Sequence, residues 1–143
     1  MSGGQQIVAD TSALFALVDA DDPHHADVVG FVKSRAVGFL YLVPDTVFSE
    51  TMTLIKRRIG VHLAVQVGER IQRSPRFRLY RLDPEDDQET WRIFSRYTDK
   101  DWSYTDCSIS AVACRYRIAE VFAFDRHMEQ MAEVVRVPAS SRL

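Results

Sequence analysis

Cysteine is scarce in this chain, and no hydrophobic run is long. The 143 residues include two cysteines, Cys107 and Cys114. On one helix, seven positions apart, their Cα atoms would stand roughly 10 Å from each other, beyond the ~7 Å that a disulfide tolerates. They read as reduced core thiols, which suits a reducing compartment. Neither they nor the four histidines show a zinc-ligand spacing; His24 and His25 read as exposed residues in the first turn of a helix. No stretch approaches the roughly 18 apolar residues of a membrane span. The opening Met-Ser-Gly-Gly-Gln-Gln lacks the basic end and apolar core of a secretory signal, so the cytoplasm is the expected location. Repeats, low-complexity tracts and linkers are missing too. The expectation is one domain over residues 1–143, long enough to bury a core without disulfide or metal staples. With 46% hydrophobic and 27% charged residues, the chain reads as a soluble globular protein.

The net charge of −2 hides an uneven distribution. Residues 56–81 hold eight basic side chains (Lys56, Arg57, Arg58, Arg70, Arg73, Arg76, Arg78, Arg81) against Glu69 alone, a balance of +7 that leaves −9 elsewhere. A solvated helix face accounts for such a run. So does a patch that meets a polyanion, in which case Lys56, Arg57, Arg58, Arg73 and Arg76 are the candidate contacts to a nucleic-acid backbone.

Read in order, the chain alternates strand and helix. A strand over 6–9 leads into a helix over 12–18. Asp22-Pro23 supplies an N-cap and a first-turn proline for a helix ending near 34. An apolar strand over 39–43 closes at Pro44, and Pro44-Asp45 opens a helix to 58 with Gly60 as its stop. A helix over 61–72 ends at Ser74-Pro75. The alternating residues 77–82 predict a strand, and Asp83-Pro84 starts a helix whose first-turn acids suit the helix dipole. On that helix Glu85, Asp86 and Asp87 are assigned to solvent, and Trp91, Phe94 and Tyr97 to the core. A helix over 104–115 follows, then the strongly apolar strand 120–124, a short helix over 126–133 and an edge strand over 134–137. This order predicts a parallel sheet with helices on both faces.

Four acids stand out against that frame. Asp10 and Asp125 each follow an apolar strand directly, at the edge where open α/β sheets place their chemistry. Glu50 shares a helix face with Val47 and Leu54, and Asp106 shares one with Ile109 and Ala113. Simpler readings exist for two of them. Asp10, Thr11 or Ser12 serves as a helix cap, and Ser103-x-x-Asp106 has capping-box spacing. Were all four acids to meet, their repulsion would demand a cation. Oxygen ligands alone favour Mg²⁺ or Mn²⁺ over zinc, and such clusters hydrolyse phosphodiesters. A phosphatase of the haloacid dehalogenase type also begins with a strand and an aspartate, but it needs a second aspartate two residues on, where this chain has Ser12.

Asp10-Thr-Ser, Phe48-Ser-Glu50-Thr-Met, Ser103-Tyr-Thr-Asp106 and Phe124-Asp125-Arg-His-Met, in this order, resemble the four motifs of the PIN-domain ribonucleases, a family that includes the VapC-like toxins of toxin–antitoxin pairs. The resemblance covers nearly the whole chain. It implies a three-layer α/β/α domain with a central parallel sheet of about five strands. It also implies an Mg²⁺- or Mn²⁺-dependent endoribonuclease, with Asp10, Glu50, Asp106 and Asp125 as catalytic metal ligands. Ser12, Ser103 and Thr105 would orient those carboxylates, while Asp101 reads as a surface residue. Homodimers and a small antitoxin partner are further implications. An RNA-processing nuclease outside any toxin pair, and a non-catalytic binding module, are the alternatives.

Overall fold

The computed structural model describes residues 5–35, 38–124 and 135–138. Five strands, β1 (Gln5–Ala9), β2 (Phe39–Pro44), β3 (Phe77–Tyr80), β4 (Glu120–Phe122) and β5 (Val135–Val137), form one parallel sheet in the order β3-β2-β1-β4-β5. Among the described residues six helices flank it in a three-layer α/β/α arrangement: α1 (Thr11–Val18), α2 (His25–Ser34), α3 (Asp45–Arg58), α4 (Val61–Arg73), α5 (Pro84–Arg96) and α6 (Tyr104–Tyr116). Strand β1 is central. Its partners are β2, with Val8 opposite Leu42, and β4, with Val8 opposite Val121.

The strands are covered on both faces, so they read as continuous apolar runs instead of alternating ones. Ile7, Val8, Tyr41, Val43, Val121 and Phe122 are fully buried. Aromatic rings tie the layers together: Tyr41 stacks on Phe77 at 5.0 Å and meets Phe122 edge-on at 5.2 Å, while Phe31 stacks on Phe122 at 5.5 Å. Gly60 joins α3 to α4 at φ 150°, a conformation that a Cβ-bearing residue rarely adopts.

Several local expectations need correction. Helix α2 starts at His25, because the Asp22 carboxylate accepts the His24 N–H at 2.8 Å and Pro23 lies in the turn this makes. β3 stops at Tyr80 and β4 at Phe122, each two residues short of the expected end. The assignment of Asp86 to solvent is overturned. It is buried, closes a capping box with Asp83, and receives Arg115 Nη1 at 2.9 Å along with the Tyr80 hydroxyl. Glu85 and Asp87 are exposed as expected. Trp91, Phe94 and Tyr97 are not core: they are 60%, 40% and 40% exposed, and α5 buries Asp86, Thr90 and Ile93 instead. Cys107 is buried but Cys114 is exposed, and no disulfide joins them. The expected helix over 126–133 lies outside the described residues. No helix among the described residues is long and apolar enough to cross a membrane.

Candidate active site

The chain leaves β1 for β2 on one side and later crosses from β3 to β4 on the other, so the strand order reverses between β1 and β4, the switch point at whose carboxyl end open α/β sheets bind ligands. Asp10 is the first residue past β1. Its backbone N–H continues the ladder to the Phe122 carbonyl at 2.9 Å. Its side chain turns back to cap α1, accepting the Ser12 N–H at 3.3 Å and the Ser12 hydroxyl at 2.8 Å on Oδ2. Cap and cleft readings therefore meet in one residue. Asp10 is 3% exposed. Burial pushes its carboxyl from 3.8 up to about 6; the hydrogen bonds from Ser12 pull the other way, and the charge of Asp106 adds to the rise.

Asp106 reaches the same edge from the first turn of α6. Both halves of its capping box form: Asp106 N–H donates to Ser103 Oγ at 3.0 Å, and Ser103 N–H donates to Asp106 Oδ2 at 2.9 Å. The box accounts for the helix start and also fixes the carboxylate of a buried acid, 4% exposed, against the neighbourhood of Asp10. Beside it, burial and the Asp106 charge push the Cys107 thiol up to about 11. It packs as an apolar group with Ile93, Ala111 and Trp102.

Ser12 is the keystone of the described site. Its hydroxyl donates to Asp10 and accepts the Phe124 N–H at 2.9 Å, so one oxygen joins the end of β1 to the chain leaving β4. The neighbouring His24 ring stacks on Phe124 at 4.2 Å, and His25 Nδ1 lies 2.7 Å from the Ala16 carbonyl. We expect Ser12→Ala to lower the stability of the metal-free protein by about 1–3 kcal/mol, since it strands a partly buried amide. It should also raise the Asp10 pKa above its present position, because the lost hydrogen bond favours the carboxylate. Chemical denaturation and an NMR titration of the Asp10 side-chain carbon check the two effects.

The other expected residues are placed less uniformly. Glu50 is exposed, because the buried stripe of α3 is Val47, Thr51 and Ile55; the expectation that it points inward is corrected. Asp125 lies outside the described residues. Among the described residues no group of three or more His, Cys, Asp or Glu side chains gathers as a metal cluster. What the fold brings together is the pair Asp10 and Asp106. Thr105 contributes its backbone carbonyl, which accepts the Ser108 hydroxyl at 2.6 Å. Asp101 is exposed.

Lys56, Arg57 and Arg58 are exposed in the last turn of α3, roughly 9–12 Å along the helix from Glu50. Arg58 lies over the ring of Phe15 at 5.7 Å. Arg73 is exposed and loosely paired with Glu69 at 3.6 Å. Arg76 has a different part: Nη2 donates to the Val32 carbonyl at 2.8 Å and ties β3 to α2.

A family model described as the PIN domain matches residues 7–134. The 23S rRNA-specific endonuclease VapC20 of Mycobacterium tuberculosis is 28% identical over 119 residues, which span 83% of this chain and 88% of that protein. Ribonuclease VapC26 of the same organism is 28% identical over 120 residues, 84% and 87% of the two chains. The crystal structure of VapC20, described as a sarcin-ricin loop cleaving toxin, matches with a TM-score of 0.79 at 26% identity, covering 90% of this chain and 98% of that one. VapBC2 from Rickettsia felis, bound to a DNA fragment from its promoter, shares the fold with a TM-score of 0.71 at 7% identity, over 92% and 97% of the chains.

Proposed function

The chain belongs to the PIN-domain family, and we propose that it is a Mg²⁺- or Mn²⁺-dependent endoribonuclease, the toxin of a toxin–antitoxin pair. One observation carries the chemical part: two buried carboxylates, Asp10 and Asp106, share the crevice at the end of the central strand, and the charge of one raises the proton affinity of the other. Such a pair fits a hard divalent cation. Its donors are oxygens, and a cation would relieve the repulsion and the cost of burial together. Asp10 and Asp106 would hold the ion, with Glu50 and Asp125 completing the set. When bound, the ion supplies Lewis acidity for phosphodiester hydrolysis.

The chain's own residues do the rest. The Ser12 hydroxyl keeps Asp10 Oδ2 turned to one side, and the Ser103 N–H does the same for Asp106 Oδ2. Below about pH 6 Asp10 holds a proton where the ion would bind. Lys56, Arg57, Arg58 and Arg73 offer exposed positive charge to phosphates flanking the cut, so binding should weaken with salt. The antitoxin reading is supported by the fold shared with VapBC2 and by the similarity to VapC20 and VapC26. A homodimer and a cytoplasmic location are parts of the same proposal.

The test uses purified protein and RNA, including a ribosomal RNA stem-loop. Cleavage is expected with Mg²⁺ or Mn²⁺, and EDTA should reduce it to background until excess Mn²⁺ restores it. Cleavage indifferent to EDTA would remove the metal from the proposal. No cleavage of any RNA under either ion would favour a binding module.

A further inference from the structure

We propose that Thr46 and Ser108 are a positioning pair that sets the separation of the helices bearing Glu50 and Asp106, and with it the affinity of the cleft for a divalent cation. This rests on the metal-nuclease reading above. Thr46 Oγ1 lies 2.7 Å from Ser108 Oγ, and Ser108 Oγ lies 2.6 Å from the Thr105 carbonyl. A serine hydroxyl has one proton. That proton is committed to the carbonyl, which can only accept, so the Thr46 hydroxyl must donate to Ser108. The chain of donors therefore runs from α3, through Ser108, into the first turn of α6.

This hydrogen bond joins α3 to α6. Ser108 is fully buried, so its oxygen has no water to replace a lost partner. Glu50 lies four residues after Thr46, one turn further along the same side of α3. Asp106 lies two residues before Ser108 and is clamped from the other side by Ser103. The hydroxyl pair thus spans the gap between two helices whose acids must meet at one ion. Ligand geometry has to hold to within about 0.5 Å, and loss of the groups that orient ligands typically weakens metal binding about 10–100-fold.

Thr46→Val keeps the shape and removes the donor, and Thr46→Ser keeps the donor. Calorimetric titration of the full chain with Mn²⁺, without RNA, gives the affinity. Thr46→Val is expected to weaken Mn²⁺ binding about tenfold or more, and Thr46→Ser to stay within about twofold of the parent. Ser108→Ala should repeat the loss and offers a second route where Thr46→Val folds poorly. The double variant should be no worse than Ser108→Ala alone, because that substitution already removes the link to Thr46. A purely structural pair would lower the melting temperature yet leave the Mn²⁺ affinity unchanged in both single variants, and that result overturns the proposal. Should the parent chain itself bind no Mn²⁺, the metal-nuclease reading fails and the pair's role goes with it. A parent that binds Mn²⁺ and cleaves RNA, beside a Thr46→Val variant that binds equally well, removes the pair's role alone.

Discussion

Asp10→Asn is expected to abolish RNA cleavage and, in the same protein, to raise thermal stability at pH 7 in the absence of metal. Losing a metal-holding carboxylate removes several kcal/mol of transition-state stabilisation, roughly a thousandfold or more in rate. The gain in stability follows from linkage. In the unfolded chain the Asp10 carboxyl titrates near 3.8, and in the folded chain near 6. Between those values the folded state binds more protons, so stability falls as pH rises from about 4 to about 6 and stays lower above that. The accumulated cost at pH 7 is about 3 kcal/mol at most, and a neutral asparagine does not bear it. Melting curves in EDTA at pH 7 and pH 4 test the sign. The variant should be the more stable at pH 7 and should lose that advantage at pH 4. A variant less stable at pH 7 would contradict the burial cost, and one that still cleaves would take Asp10 out of the machinery.

The second large effect is the response to the ion itself. At a Mn²⁺ concentration about a hundred times its dissociation constant, the folded state should gain about 2.7 kcal/mol. That gain should shrink as pH falls below 6, because Asp10 then carries a proton and each pH unit costs about tenfold in apparent affinity. Stability between pH 5 and 7 should therefore fall without Mn²⁺ and stay nearly level with it, because the ion-bound fold and the unfolded chain both carry Asp10 deprotonated there. Differential scanning calorimetry across that range reads both slopes. Parallel slopes would mean that proton and cation do not compete at this carboxyl.

The frame of the protein was legible in its sequence where the signal is local. The apolar run ending in Asp10, the helix starts at Pro44-Asp45 and Asp83-Pro84 and the capping-box spacing at Ser103 depend on neighbours within a few residues, and all stand in the structure. Failures came where a partner lies far along the chain. Asp86 is buried because Arg115, 29 residues on, brings it a positive charge. The helical period on α5 marks Trp91 and Phe94 as an apolar face, but the period does not say which face meets the sheet. The side that packs is Asp86, Thr90 and Ile93, where polar atoms are satisfied internally. Glu50 fails for an angular reason: it precedes Thr51 of the buried stripe and stands about 100° round the helix from it. The Thr46–Ser108 contact joins positions 62 apart and leaves no pattern in either segment.

The link between Ser12 and the Phe124 amide closes a loop of 112 residues, and the Asp10–Phe122 backbone bond lies beside it. Contacts this distant form late, both because loop closure is slow and because synthesis proceeds from the N-terminus at about 5–20 residues per second. A nascent chain that has not yet reached β4 carries Asp10 on a strand with one bare edge and an unanchored Ser12. On the proposed function, a chain built this way would gain activity toward RNA only after almost all of its fold has been translated.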